Sequence, residues 1–306
     1  MAMNGVLRPG FIQIRVLDMD EAITHYRDRL GLHLVGTEAD GRVYLKGWDE
    51  FDRHSVILRE ADEAGMDMMA FKVLDDASLN ELTAKLEAYN VVVDHIEAGE
   101  QPGIGRRVGF ELPSGHRIEL FAQIDRSDFA PEIVNPNVWQ CEPRGMGVTR
   151  FDHALLYGPN IEAVTDLFCD VLGFRVAEQA DLGPGGIAVW LTCGMKAHDI
   201  AFVTNPDAGR FHHAAFYLET VNDVTHAGDI MAYYDIPIDV GPTRHGITRG
   251  QTIYFFDPCG NRNEVFAGGY TYYPDNPKRV WETDELGKGI FYYERELNDA
   301  FLSVYT

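Results

Sequence analysis

The spacing of apolar and polar positions along the chain changes in a regular order. Residues 150–158, RFDHALLYG, alternate in character and are rich in aromatic side chains, which predicts a β-strand. Residues 158–174 have apolar positions at helical spacing, with Asn160 as N-cap and Gly173 as the stop, which predicts a helix. Three apolar segments that predict strands follow, at 174–180, 186–193 and 198–204. This order is a βαβββ module.

The module recurs. Residues 212–268 repeat it, with a strand from 212, a helix over 221–235 and three more strands. The whole pair also has an N-terminal counterpart, because LPSGHRIELF at 112–121 matches DPCGNRNEVF at 257–266. Matches in the same order along the chain indicate duplication. We predict an α+β protein of two domains, 1–135 and 146–275, each of two paired βαβββ modules, followed by a tail, 276–306. Two curved four-stranded sheets facing each other would enclose a cavity.

Composition narrows the class of protein. The 306 residues suffice for two domains. The net charge of -22 argues against nucleic acid or an anionic membrane as partner. No apolar run approaches the ~20 residues of a membrane span, and the N-terminus lacks the apolar core of a signal peptide. The cysteines form no C-x-x-C pair and predict free thiols in a reducing cytoplasm; they are Cys141, Cys169, Cys193 and Cys259.

Four residues of the C-terminal repeat are candidates for chemistry. His153 and His213 take equivalent positions on the first strands of their modules, and Glu264 lies on a last strand. His198 occupies about the matching place in the other module. Because side chains alternate along a strand, all four are expected to face one cavity. The neighbouring His212 has the opposite parity, so we expect it to point to the other face as a structural residue.

The N-terminal copy lacks this set. Phe11 stands in place of His153 and Met68 in place of His213, while the carboxylate persists as Glu119. A Phe, a Met and a Glu cannot hold a divalent metal. The predicted metal site therefore belongs to the C-terminal repeat, and the N-terminal copy either lost its site or never had one.

Two histidines and a carboxylate, with other positions open, suit the facial triad of non-haem Fe(II) oxygenases. The same ligands also suit Zn(II), Mn(II), Ni(II) or Co(II), so the ligand types alone leave the metal open.

Several stretches together resemble a known family. RPGFIQIRVLDM, FDHALLYG, KAHDIAF, DVGPTRHGITRGQTIYFFDPCGNRNEVFAGG and DELGKGIFYYERELNDAF occur in order over essentially the whole chain. They resemble the catechol 2,3-dioxygenases, the meta-cleaving extradiol enzymes of the vicinal oxygen chelate superfamily. The resemblance implies the glyoxalase–bleomycin resistance–dioxygenase fold, Fe(II) in the C-terminal domain alone, a tail that packs on that domain, and a homotetramer.

The resemblance also implies residue roles. Fe(II) would be bound by His153, His213 and Glu264. His198 would be the acid–base group, and His245 and Tyr254 would hydrogen-bond the developing oxygen charge. The apolar wall over the substrate ring would come from Trp190, Ile247, Ile290 and Phe301.

The implied reaction is extradiol cleavage of catechol or a small substituted catechol by O2, which gives a 2-hydroxymuconic semialdehyde. Two positions depart from the family pattern: Phe11 and Cys259 stand where relatives typically carry His and Ser. Phe11 lies in the domain without ligands, so no effect on chemistry is expected there. Cys259 bears only on how the enzyme tolerates oxidation.

Three other functions stay open from the sequence. One is an extradiol dioxygenase for a larger diol of the biphenyl or homoprotocatechuate type. Another is a non-oxidative metal enzyme of the same fold, such as a glyoxalase or an epimerase. The third is a ligand-binding protein of this fold, although such proteins lack the metal triad.

Overall fold

The computed structural model describes residues 5–138 and 142–306, so Cys141 lies outside the described residues. Among these residues, eight strands form the N-terminal sheet, in the order β2-β3-β4-β1-β5-β8-β7-β6. Their bounds are β1 Val6–Val16, β2 His33–Thr37, β3 Val43–Lys46, β4 Val56–Glu60, β5 Gly65–Val73, β6 Val93–Ile96, β7 Arg107–Glu111 and β8 Arg117–Phe121.

The C-terminal sheet of the described chain has nine strands, in the order β14-β15-β16-β13-β9-β12-β11-β10-β17. Their bounds are β9 Arg150–Gly158, β10 Arg175–Asp181, β11 Ile187–Thr192, β12 Ile200–Thr204, β13 Arg210–Tyr217, β14 Ile238–Arg244, β15 Gly250–Phe256, β16 Arg262–Gly268 and β17 Arg279–Trp281. The predicted βαβββ order is present twice in each half of the chain.

The two modules of each half are joined more closely than we expected. The first strands of paired modules hydrogen-bond antiparallel, β1 with β5 and β9 with β13. The two four-stranded halves are therefore one continuous sheet rather than two separate facing sheets. This pairing satisfies backbone groups that two separate sheets would leave at exposed edges.

Helices follow the first strand of each module. Their bounds are α1 Met19–Ile23, α2 Asp76–Ala88, α3 Ile161–Asp166 and α4 Val221–Tyr233. Both α1 and α3 continue as π-helical turns, over Thr24–Arg29 and Leu167–Val171. Asn160 precedes α3 as predicted but makes no side-chain cap, because its left-handed backbone turns the amide to the carbonyl of Pro113.

The N-terminal half supports the strand that carries Glu264. The Tyr26 hydroxyl donates to Asp257 Oδ2 at 3.0 Å, and His25 Nε2 lies 3.0 Å from Asn263 Oδ1. Asp257 Oδ1 also accepts the backbone N–H groups of Cys259 and Asn261, which closes the turn before β16. The half without metal ligands thus fixes the position of a candidate ligand in the other half.

The tail lies against the C-terminal sheet. β17 pairs in parallel with β10, and Thr306 exchanges two backbone hydrogen bonds with Phe211. Two short helices lie between these points, α5 Leu286–Ile290 and α6 Asp299–Ser303. None of the helices in the described residues has the length and apolar character needed to cross a membrane.

His54 is the repeat counterpart of His198 and is completely buried against Tyr44 and Phe11. Neither ring nitrogen has a hydrogen-bond partner among the described residues. Burial, together with the charges of Arg53 and Arg107, lowers the pKa of His54 to about 3. The folded protein therefore keeps this ring neutral at pH values where the unfolded chain protonates it.

Replacing His54 by leucine should flatten the pH dependence of stability. A histidine with a lowered folded-state pKa contributes stability that is present above the unfolded value near 6.5 and is lost as pH falls. Each pH unit below the unfolded value costs the wild type about 1.4 kcal/mol of unfolding free energy through His54. Between pH 6.5 and 5, the unfolding free energy of His54→Leu should therefore fall by about 2 kcal/mol less than that of the wild type. Urea unfolding at both pH values measures this, with exposed His226→Leu as the control. Parallel pH dependence of wild type and His54→Leu would contradict it.

Candidate metal centre and active site

Three neighbouring strands bring the predicted ligands together. His153 on β9, His213 on β13 and Glu264 on β16 are all buried, and one potential ligand atom from each lies within 4.8 Å of the others. Glu264 Oε2 is 3.2 Å from His153 Nε2 and 3.3 Å from His213 Nε2. The antiparallel register sets His153 opposite Ala215, and the parallel register sets Ala215 opposite Glu264. The central strand pairing therefore creates the cluster.

Asp152 fixes the orientation of the His153 ring. His153 Nδ1 donates to Asp152 Oδ1 at 3.0 Å, which leaves Nε2 with its lone pair toward the cluster. Burial raises the pKa of Asp152, but the Lys196 ammonium 2.8 Å away and the His153 hydrogen bond hold that pKa well below its usual range. Asp152 is thus a permanent acceptor for His153.

The donor set fits a divalent cation. Burial lowers the pKa of His213 to about 4, although Glu264 opposes the shift, so the ring is neutral. His213 Nε2 has no hydrogen-bond partner among the described residues. Burial raises the pKa of Glu264, but contacts with His153, His213 and His245 hold it well below its usual range. An unpartnered imidazole nitrogen beside a buried carboxylate is the arrangement that a bound cation would satisfy.

His198 lies beside this cluster. Its ring centroid is 3.9 Å from that of His153. Burial, followed by the charges of His153 and Lys196, holds the pKa of His198 well below its usual value. A neutral imidazole at this position is able to accept a proton from a bound ligand.

His245 and Tyr254 form a hydrogen-bonded pair on the opposite side. The Tyr254 hydroxyl lies 2.7 Å from His245 Nε2, and His245 Nδ1 donates to the carbonyl of Ile290 in the tail. His245 Nε2 is also 3.8 Å from Glu264 Oε1. Burial, the Glu264 charge and the Glu264 hydrogen bond raise the pKa of Tyr254 well above its usual value, so its hydroxyl stays a donor.

All of these residues line one cavity of about 90 Å³. The four residues predicted as an apolar wall also line it: Trp190, Ile247, Ile290 and Phe301. Sequence reasoning missed other lining residues, which include Leu155, Thr248, Tyr270, Arg150 and Lys196. Leu155 lies within β9, two residues from His153, and the other four lie in loops or at a strand end, where no repeat pattern signals a role.

A buried carboxylate shapes the cavity wall. Thr248 and Arg249 both adopt left-handed backbone conformations, with φ of 61° and 63°. The fully buried Glu178 holds this turn by accepting the Thr248 N–H at 2.7 Å. It also accepts the Tyr270 hydroxyl at 2.8 Å and Trp281 Nε1 at 2.7 Å. A strained turn of this kind persists where its surroundings determine it.

Replacing Glu178 by glutamine should loosen this wall. An amide has one acceptor oxygen, so one of the three donors would be left unpaired, which costs about 1–3 kcal/mol. Because Thr248 lines the cavity but is not one of the candidate metal ligands, KM for the catechol that the family resemblance implies should rise about tenfold, with a smaller change in kcat. Steady-state kinetics measure the split, with Glu282→Gln on the exposed tail as the control. Unchanged KM would show that the wall does not depend on Glu178.

The N-terminal repeat uses a different cation. Glu119, the counterpart of Glu264, accepts Arg107 Nε at 2.7 Å and Arg117 Nε at 3.2 Å. Arg107 pairs with Phe121 on the neighbouring strand, and Thr252 pairs with Phe266 in the same way in the C-terminal repeat. Arg107 is therefore the repeat counterpart of Thr252. A buried guanidinium therefore neutralises the carboxylate there. Within the described residues, that half holds no metal-ligand group comparable to the C-terminal one.

Comparison with known proteins agrees with this geometry. Residues 66–125 match the family model of the catechol 2,3-dioxygenase-like N-terminal domain, and residues 150–265 match that of the glyoxalase/bleomycin resistance protein/dioxygenase superfamily. The metapyrocatechase of Pseudomonas sp. (strain CF600) is 50% identical over 305 residues, covering 99% of both chains.

Two further relatives extend the comparison. A manganese-dependent 2,3-dihydroxybiphenyl 1,2-dioxygenase of Geobacillus genomosp. 3 is 30% identical over 298 residues, covering 94% of each chain. The crystal structure of the 2,3-dioxygenase LapB from Pseudomonas sp. KL28 superposes with a TM-score of 0.90 at 49% identity, covering 92% of this chain and 99% of that one. On these matches, the chain belongs to the metapyrocatechase (catechol 2,3-dioxygenase) family of extradiol dioxygenases.

Proposed function

We propose that this protein cleaves catechol and small substituted catechols at the extradiol position with O2 and Fe(II), giving 2-hydroxymuconic semialdehydes. The observation that carries the proposal is the buried cluster of two histidines and one carboxylate at the base of a small, partly apolar cavity. His153, His213 and Glu264 would hold the metal. When bound, the metal supplies open coordination positions at which a diol and O2 are held side by side.

Charge balance favours a singly ionised diol. Glu264 contributes one negative charge, so a catecholate monoanion would complete the neutralisation of a 2+ ion. His198, kept neutral by burial, would accept the diol proton and later return it. Tyr254 would donate a hydrogen bond to an oxygen atom that gains charge during the reaction, and His245, whose Nε2 lies 2.7 Å from the Tyr254 hydroxyl, would position that hydroxyl.

The cavity size favours a single ring. A cavity of about 90 Å³ is smaller than the roughly 150 Å³ apolar cavity known to hold benzene. One ring would fill it with small side-chain adjustments, whereas a second ring would have to displace Trp190, Ile290 or Phe301. Catechol and its small alkyl derivatives therefore suit this wall better than a biphenyl diol does.

Iron is the proposed metal; the alternative is manganese, because one relative is named as manganese-dependent. We also propose a homotetramer in the cytoplasm. Exposed apolar side chains in the segment between the two sheets offer surface for subunit contact, namely Phe129, Ile133, Val134 and Val138. Free thiols at Cys169, Cys193 and Cys259 suit a reducing compartment.

The test is aerobic turnover by anaerobically loaded protein. Protein loaded with Fe(II) should convert catechol into a yellow ring-fission product, with one O2 consumed per product. Parallel loading with Mn(II) decides the metal, and kcat/KM for 2,3-dihydroxybiphenyl should fall well below that for catechol. Colour without O2 uptake, or a product opened between the two hydroxylated carbons, would overturn the proposal.

A further inference from the structure

A second histidine stands directly behind one candidate ligand. His212 precedes His213 on β13, and their Nδ1 atoms lie 2.7 Å apart. The strand register shifts between Phe211 and His213, which marks a β-bulge at His212. Bulges re-aim side chains and are common beside active sites. The bulge explains how two adjacent residues of one strand hydrogen-bond each other. His212 is not among the residues that line the cavity, but it contacts one that does.

The contact requires one of the two rings to donate and the other to accept. A metal-bound His213 Nε2 needs its lone pair, so the ring proton has to be on His213 Nδ1. His213 Nδ1 then donates to His212 Nδ1. That leaves the His212 proton on Nε2, and Nε2 lies 2.8 Å from the carbonyl oxygen of Phe301. With His213 as a ligand, the proton positions on both rings are therefore set: His213 Nδ1 donates to His212 Nδ1, and His212 Nε2 donates to the Phe301 carbonyl in the tail.

The surroundings of His212 suit this arrangement. Phe301 lies in the five-residue helix α6, where the last carbonyl groups of a helix have no intrahelical partner, and its carbonyl oxygen is 2.8 Å from His212 Nε2. Arg262 Nη1 also lies 2.9 Å from His212 Nε2, and because a guanidinium nitrogen only donates, this contact favours an Nε2 that accepts. The Phe301 carbonyl at 2.8 Å favours an Nε2 that donates, and Arg262 Nη1 has another acceptor in the carbonyl of Val304 at 2.6 Å. The rings of Tyr157 and Phe301 pack against His212 at centroid distances of 4.9 and 4.8 Å.

We propose that His212 is a positioning residue that holds His213 in the tautomer able to ligate the metal, through a hydrogen-bond relay anchored on the Phe301 carbonyl in the C-terminal tail. The inference rests on the proposed function, because it takes His213 as a ligand. Asp152 accepts the Nδ1 proton of His153 and so leaves its Nε2 free to ligate; His212, anchored on the tail, has the same role for His213. The tail thus takes part in the metal centre through the backbone carbonyl of Phe301.

The variants separate hydrogen bonding from packing. His212→Phe keeps an aromatic ring between Tyr157 and Phe301 but offers no acceptor to His213. His212→Gln restores the relay, because its amide oxygen accepts and its amide nitrogen donates. Removing such a supporting partner typically weakens metal binding about 10–100-fold. We therefore expect anaerobic Co(II) titration to show this loss in His212→Phe and near-recovery in His212→Gln.

A spectroscopic signature distinguishes the relay from general destabilisation. Proton NMR of Co(II)-loaded wild type should show two slowly exchanging, hyperfine-shifted imidazole N–H signals, from His153 and His213. His212→Phe should lose one and His212→Gln should keep both. His116→Phe is the matched control, since it removes a buried histidine that donates to the carbonyl of Arg210 but does not touch the ligands. It should keep both signals and the wild-type affinity.

Two outcomes overturn the inference: unchanged Co(II) affinity with both signals in His212→Phe, or a His212→Gln variant as defective as His212→Phe. Should His212→Phe fail to fold, nitrogen-15 shifts of histidine-labelled, Zn(II)-loaded wild type decide, because a proton on His212 Nδ1 rather than Nε2 also overturns it. Failure of the proposed function looks different: both N–H signals would be present, yet catechol would not be cleaved.

Discussion

Glu264→Ala is expected to abolish ring cleavage and metal binding together. The carboxylate supplies the negative charge of the cluster, with Oε2 3.2 Å from His153 Nε2 and 3.3 Å from His213 Nε2. Loss of a supporting residue alone weakens metal binding about 10–100-fold, so loss of a ligand should exceed that range. Activity should fall below detection. Metal analysis after anaerobic loading and the catechol assay measure the two effects on one preparation.

The repeat provides a matched control at Glu119. Glu119→Ala removes the same side chain from the equivalent strand, but there the partners are Arg107 and Arg117. Metal content and kcat should be unchanged. Stability should fall, because the buried Arg107 loses a partner; Arg107 also contacts Glu100, so we expect about 3 kcal/mol, the low end for a broken buried pair. Wild-type iron content and turnover in Glu264→Ala would contradict the assignment of the metal centre.

The strands and the candidate ligands could be predicted from the sequence, because they follow from hydrophobic periodicity and from the internal repeat. The strand at 150–158 has the predicted bounds, and the last strand of the repeat ends at the predicted residue 268, because alternation and flanking turn residues define strands well. The duplication located the candidate ligands, since comparison of two copies shows which polar residues one copy has and the other lacks. His153, His213 and Glu264 meet because equivalent strands pair at the centre of the sheet.

Features that depend on three-dimensional register were not predictable. A bulge at His212 breaks the strict alternation from which its side-chain direction was inferred. Glu178 accepts hydrogen bonds from three residues that are far from it in the sequence, and no local sequence pattern predicts such contacts. The carbonyls of Ile290 and Phe301 act through the backbone, so their side-chain identities carry no signal for that role.

The second large effect is expected from His198→Gln. Its ring lies beside His153 and faces the cavity, but it is not part of the ligand cluster. Metal content should therefore stay at the wild-type level. Glutamine can hydrogen-bond a diol but cannot take its proton, and positioned proton transfer is typically worth about 10²–10⁴-fold. We expect kcat/KM for catechol to fall within that range, as measured by initial rates with Fe(II)-loaded protein.

The acidity of the diol tests the reason for this loss. If His198 accepts the first diol proton, a more acidic diol depends less on this base. The loss of kcat/KM in His198→Gln relative to wild type should therefore be smaller for nitro-substituted catechols than for catechol. Anaerobic titration with 4-nitrocatechol reports its ionisation directly by colour, and both proteins should bind the same anion. His54→Gln, at the repeat counterpart, should leave all these quantities unchanged. An equal loss for catechol and the acidic diol would show that His198 acts by placing the substrate rather than by moving its proton.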